Sequence, residues 1–490
     1  MCLRLCLRLC LRLCLCRLFD PADSNPFSNF TAANAVDTAA DRQLARRSAA
    51  AGLVLLRNAG QLLPLDARTL RRLAVVGPNA DVPARLKSNY EGCRGGDSNF
   101  INKADPSRPC RLVTPLQALR TKLGAVGASI TYHAGSELNR TLPDAEDGQS
   151  AAAAAAAAAD VAVLVLGLKS WTGEHPDGHA ESDAAEGEAH DRVSIRLPAA
   201  QRALAQAVLA AQPKTVLVLI SGGVVSEPSL MAAAGAKGGT APPALIQAFY
   251  GGEQQGNALA DALLGTVPFS GRLPVTIVQD VAQLPPYLSQ QMSAAPGRTH
   301  RYLTTPPLYP FGYGLSSAAA VSYSGLTVAP ATVSAAHPPA NITVVVQLSA
   351  RLLGSRHGAA HQEEVVQVYF GWVAAGGGLR ERGASSVPLH SLVGFRRVSV
   401  SVPASGRSGG GGDSGGSVTA TAVKFELSAK SLELMRPDGT MGLLPGSWRV
   451  WAGGTSPRTP AGLLRPQHGG GSGSSGAPAK PLEAAWEVTA

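Results

Sequence analysis

The chain has 490 residues, 45% of them hydrophobic and 16% charged, which is enough apolar material for one large core and room for a second, and excludes a disordered chain. Its formal charge of +9 rests on 34 Arg and 9 Lys that are scattered rather than interleaved with aromatics, so nucleic acid is not an expected partner. No apolar stretch of about 18 residues runs without a charge, and a membrane span is not expected either.

Residues 1–18 repeat Cys-Leu-Arg-Leu and hold five of the seven cysteines, at positions 2, 6, 10, 14 and 16. The recurring Arg interrupts the apolar core that a secretion signal needs. The segment therefore reads as low-complexity sequence or a misplaced gene start, the alternative being an amphipathic stretch on an acidic membrane surface. Cys93 and Cys110 remain for the folded body and allow at most one disulfide. Asn-x-Ser/Thr sequons at Asn29, Asn139 and Asn341 permit a secretory life.

Residues 19–44 read as a linker leading into a helix. From Asp41 to Asn58 an amphipathic helical pattern runs into an apolar stretch, and RRLAVVGPNA (71–80) reads as a buried strand ending in a turn. Nine alanines (151–159) make a helix ahead of the buried strand VAVLVLG (161–167). The helix 199–211, the strands within 215–223 and 244–252, and the helix 257–265 continue the alternation. Residues 45–315 are thus predicted to form an α/β domain on a mainly parallel sheet covered on both faces.

After Ser316 the pattern changes to short β-rich runs, at 342–350, 364–373, 392–402, 421–429 and 446–454, separated by turn signals; this predicts a β-sandwich over 316–460. Gly/Ser-rich tracts at 406–417 and 468–476 cannot pack a core, and 461–490 is expected to be a flexible tail.

A candidate place for chemistry is the loop after the strand 161–167, WTGEHPDGHAESDAAEGEAHDR (171–192), which carries Glu174, Glu181, Glu186 and Glu188. Ligands of open α/β sheets bind beyond the carboxyl ends of strands, and a carboxyl group there can serve as a general acid; a solvated insertion is the plainer reading. His175, His179 and Glu181 match no metal-site spacing, because Pro176 and Gly178 break the helix that would align them, so no metal is expected. VVGPNA and LISGGVV end strands in glycine without G-x-G-x-x-G or a Walker lysine, which opposes nucleotide binding. Ser221 lacks the G-x-S-x-G elbow, which opposes a serine hydrolase.

Taken together, AAAGLVLLRNAGQLLPL (49–65), LAVVGPNAD (73–81), SNYEG (88–92), VTPLQAL (113–119), DRVSIRLPAAQ (191–201), YGGEQQGNALADALLG (250–265), SGRLPVT (270–276), GRTHRYL (297–303) and YPFGYGLS (309–316) resemble glycoside hydrolase family 3, of its β-xylosidase branch. The resemblance implies a sandwich-like α/β domain followed by an all-β fibronectin type III-like domain. It implies hydrolysis of terminal β-linked xylose or arabinose in xylan and cell-wall polysaccharide, in a secreted setting and with no cofactor. The run EGEAHDR (186–192) has the spacing of the family's acid-bearing element, which makes Glu188 the first candidate for the acid, Glu186 the second and Glu174 a third. Asn89, Tyr90 and Arg192 become candidate substrate contacts. Members of the family place an aspartate nucleophile on a barrel of about 250 residues ahead of this region. Here the resemblance begins at CRLFDPADSNPFSNF (16–30), so the barrel is expected to be supplied elsewhere. A non-catalytic carbohydrate-binding or interaction module is the alternative.

Overall fold

Residues 161–167, VAVLVLG, carry no polar side chain, and every one of them is buried. Such a strand needs cover on both faces, and the sheet around it has that. A computed structural model describes residues 37–88, 111–143, 147–170, 184–188, 190–231, 241–353, 360–373, 387–402, 421–436, 438–457 and 479–489, with isolated positions at 24, 30, 35, 90, 93–94 and 101–102.

The first unit begins with helix α1 (Ala39–Gly52), closed at its start by a reciprocal Thr38–Asp41 capping box. Strand β1 (Val54–Asn58) and strand β2 (Arg72–Val76) follow. Then come helix α2 (Pro115–Gly124), strand β3 (Ser129–His133), helix α3 (Gln149–Ala158) and strand β4 (Val161–Gly167). A short pair, β5 (Lys169–Ser170) and β6 (Ala185–Glu186), precedes helix α4 (Ala199–Ala211), strands β7 (Thr215–Ile220) and β8 (Ala244–Gln247), and helix α5 (Gln255–Leu263). The six-stranded sheet has the order β1-β8-β7-β4-β2-β3. Its pairings are parallel except at β1, which runs antiparallel to β8. The apolar stretch following α1 is therefore an edge strand. Helices α1 and α2 pack on α5, and α3 packs on α4, which buries Leu204, Ala205, Val208 and Leu209 at helical spacing. Each fully buried leucine of this kind contributes about 1.5–3 kcal/mol.

Two further sheets follow. One contains β9 (Ala319–Ala329), β11 (Asn341–Leu352) and β14 (Thr421–Ser428) in the order β9-β11-β14. The other contains β10 (Thr332–Ser334), β12 (Ala360–Trp372), β13 (Ser391–Val402), β15 (Gly446–Gly453) and β16 (Leu482–Thr489) in the order β10-β16-β15-β12-β13. A single apolar cluster, with Val344, Val346, Val368, Phe425, Val450 and Trp486, is drawn from both. The expected flexible tail is corrected here: Leu482–Thr489 is a strand between β15 and β10, because its alternate residues Trp486 and Val488 enter that cluster. The N-terminal repeat and both Gly/Ser tracts lie outside the described residues. Among the described residues no helix is long and apolar enough to cross a membrane.

Candidate active site

The site is built on the carboxyl ends of β4 and β7. Strand β4 stops at Gly167, whose φ of 149° favours glycine. There the buried Gln201 side chain of α4 accepts from the Gly167 N–H at 2.8 Å and donates to the carbonyls of Gly167 at 2.8 Å and Leu138 at 2.7 Å. The chain leaves as β5 and returns as β6 in a parallel pairing of Lys169–Ser170 with Ala185–Glu186. The candidate run thus starts in a two-stranded ladder whose first strand continues directly from β4.

Glu186 is the most engaged carboxylate of the run. One oxygen accepts from the Gly222 N–H at 2.5 Å and the Tyr250 hydroxyl at 2.8 Å, and the other accepts from the Gly223 N–H at 3.0 Å. The Arg192 guanidinium stands 3.5 Å from the second oxygen. Successive backbone N–H groups form an anion-binding concavity, and here the anion is the chain's own glutamate. The glycines let the side chains close in: a Cβ on Gly223 would lie 2.6 Å from that glutamate and one on Gly222 would lie 2.9 Å from the Tyr250 ring, so either would displace them. Burial, and next the charge of Glu186, push the Tyr250 hydroxyl well above its usual range, so it remains a donor. Arg192 donates to the carbonyls of Val224 at 2.6 Å and Ser194 at 3.2 Å, and its side chain is only 7% exposed. Arg192, expected as a substrate contact, is turned toward these carbonyls and toward Glu186.

Glu188 is placed differently. It lies on a tight turn closed by the His190 N–H donating to the Gly187 carbonyl at 3.2 Å, is exposed, and makes no hydrogen bond or ion pair among the described residues. Directly after the turn Asp191 accepts from the Tyr287 hydroxyl at 2.6 Å, which raises the tyrosine above its usual range. Arg196 donates to Asp280 at 3.0 Å and faces the buried Glu227 at 3.5 Å.

The structure therefore brings Glu186 and Arg192 into contact and leaves Glu188 without a partner among the described residues. Tyr90 is 75% exposed, and Asn89, Glu174 and the His175–Glu181 stretch lie outside the described residues. Sequence reasoning missed Gly222, Gly223 and Tyr250. The Ser-Gly-Gly after a buried strand was the available signal, since it marks an anion cradle even when the anion is not a phosphate. Ser221 is buried there, donating to the Gly223 carbonyl and accepting from Gln247, both at 3.0 Å.

Residues 53–317, more than half of the chain, match the model of the glycosyl hydrolase family 3 C-terminal domain, and the chain belongs to this family. It is 31% identical over 304 residues to beta-D-xylosidase 1 of Arabidopsis thaliana, an alignment covering 61% of this chain and 34% of that protein. To the beta-xylosidase of Formosa agariphila it is 26% identical over 426 residues, 86% of this chain and 50% of the relative. The solved β-glucosidase of Erythrobacter marinus superposes with a TM-score of 0.64 at 27% identity, covering 97% of this chain and 53% of that one. The chain thus spans about a third to a half of the length of these relatives.

Proposed function

We propose that this chain supplies the acid-bearing part of a retaining β-xylosidase-type glycosidase that removes terminal β-linked xylose or arabinose from xylan-type oligosaccharides in a secreted setting. The observation that carries the reading is the contrast between two glutamates two residues apart. Both oxygens of Glu186 already accept hydrogen bonds, whereas Glu188 is exposed on a turn whose base Glu186 holds to the sheet. Glu188 is the proton donor in this reading, and Glu186 and Arg192 position it. Glu174, Asn89 and Tyr90 remain candidates as a second acid and as sugar contacts. The names of the xylosidase relatives support the substrate class, and two sheets closing on one apolar cluster support a fibronectin type III-like second unit.

In retaining hydrolysis a carboxylate attacks the anomeric carbon while an acid about 5–5.5 Å from it protonates the leaving oxygen; the acid then acts as base toward water. The attacking carboxylate is assigned to a barrel domain outside the fold described above. The test is Glu188→Gln in enzyme joined to such a barrel. Aryl xylosides with poor leaving groups should slow by about 10²–10⁴-fold, and activated ones far less. Equal loss for both, or loss for neither, would remove Glu188 from the role.

A further inference from the structure

Exposed aromatic rings on loop tips are ordinarily unconstrained, but Tyr287 is not. Its side chain is 78% exposed, with Leu288 beside it at 89% and Val193, two residues after Asp191, at 86%. The tip that carries it is held from below by one guanidinium: Arg298 donates to the carbonyls of Pro285 at 3.2 Å, Pro286 at 2.8 Å and Ser289 at 3.1 Å. A turn closes over it, the Ser289 N–H donating to the Pro286 carbonyl at 2.9 Å. Two links then tie this segment to the candidate loop, the Tyr287 hydroxyl to Asp191 at 2.6 Å and Arg196 to Asp280 at 3.0 Å.

The polar end of the ring is thus occupied by Asp191, and the rest of the ring is open to solvent. Asp191 adjoins the turn that carries Glu188. A rigid aromatic face fixed beside an exposed carboxyl group matches a ligand with one apolar C–H face and hydroxyls around its edge, which is the shape of a pyranose. Pre-organisation removes the ordering term that a mobile ring would carry into binding.

We infer that Tyr287, oriented by Asp191 and Arg298, is a stacking platform for a sugar ring next to Glu188, on the side where the leaving group of a xylo-oligosaccharide departs. This deepens the proposed function and rests on its assignment of the loop as the acid-bearing one. Tyr287 touches the departing sugar and takes no part in proton transfer.

The experiment is saturation-transfer NMR on the full chain with xylotriose at millimolar concentration. The wild-type chain should transfer magnetisation most strongly to the axial protons of one xylose face. Tyr287→Ala should weaken binding by about threefold to tenfold, and Tyr287→Phe, which keeps the ring but loses the tie to Asp191, should fall between. Because the side chain is so exposed, neither variant should change the unfolding midpoint. Absence of transfer in the wild-type chain, the result expected if the ring instead receives another protein domain, overturns the platform. So does a Tyr287→Ala variant that binds like wild type. Failure of the acid assignment is read separately, from the leaving-group dependence of Glu188→Gln, and does not enter this titration.

Discussion

Arg272 of the α/β unit and Glu364 of β12 meet at 2.8 Å with side chains only 7% and 3% exposed. The same carboxylate accepts from the Tyr323 hydroxyl at 2.6 Å and the Ser316 hydroxyl at 3.1 Å, while Arg272 also donates to the Gly454 carbonyl at 3.2 Å. Around the pair, Gln362 donates to the Phe269 carbonyl and Gln367 to that of Gly312, each at 3.0 Å. A polar weld thus joins the parallel sheet to the β-rich unit. Glu364→Ala leaves a buried guanidinium unpaired and is expected to destabilise the chain by about 3–5 kcal/mol. The double replacement Arg272→Met with Glu364→Leu should lose much less. Urea unfolding of the two variants beside wild type checks this, and a Glu364→Ala midpoint equal to wild type would contradict the weld.

The two glutamates of the candidate run should separate in stability measurements. Glu186→Ala removes the carboxylate that accepts from the Gly222 and Gly223 N–H groups and from the half-buried Tyr250 hydroxyl, and hydrogen bonds to charged groups contribute about 1.5–3 kcal/mol. Glu188→Ala removes an exposed side chain and should stay within about 0.5 kcal/mol of wild type. Equal effects in denaturant unfolding would mean that the glycine cradle does not hold the loop.

His300 stacks on Phe311 with ring centroids 4.1 Å apart, and burial, with a smaller contribution from Arg301, pulls its imidazole from 6.5 down to about 4. Between those values the unfolded chain binds the proton and the folded chain does not, so stability falls as pH drops from about 6.5 toward 4. His300→Phe keeps a ring on Phe311 and abolishes the titration. The variant should therefore melt about 2–4 °C higher than wild type near the bottom of that window, on the scale of roughly 1 kcal/mol, and show no such gain at neutral pH. Parallel melting curves across the window would count against this role for His300.

Glu186, Glu188 and Asp191 all belong to one loop, so they approach a bound sugar from one side, whereas retaining chemistry needs carboxyl groups on opposite sides of the scissile bond. Residues 17–490, purified and assayed with aryl β-xyloside and α-arabinofuranoside, are expected to show turnover far below the usual enzyme scale of about 1–10³ per second. Turnover on that scale would require a nucleophile within these residues.

What could be read from the residues depended on how deeply each element is buried. Strands β4 and β7 announce themselves as unbroken apolar runs because both their faces are covered. Strand β3, SITYH, sits at the sheet edge with mixed exposure and offers no such run. Helix α2 escaped notice although Thr114 and Gln117 form the capping box that marks a helix start. Strand β16 alternates as a half-buried strand should, but it follows a Gly/Ser tract that drew the whole segment into a tail. At the site, the acidic run was legible as a cluster of carboxyls. The difference between Glu186 and Glu188 was not, because it is made by backbone N–H groups 36 and 37 residues further along the chain, and an N–H is the same in nearly every residue.

The pairing of Lys169–Ser170 with Ala185–Glu186 ties the start of the candidate run to the residues that continue directly from β4. The two residues before the turn at Glu188 are thereby clamped as a knot is, with the load beyond it carried by the ladder. The position of the turn at Glu188 is therefore set by a short ladder and by the glycine cradle around Glu186, both acting within a few residues of it.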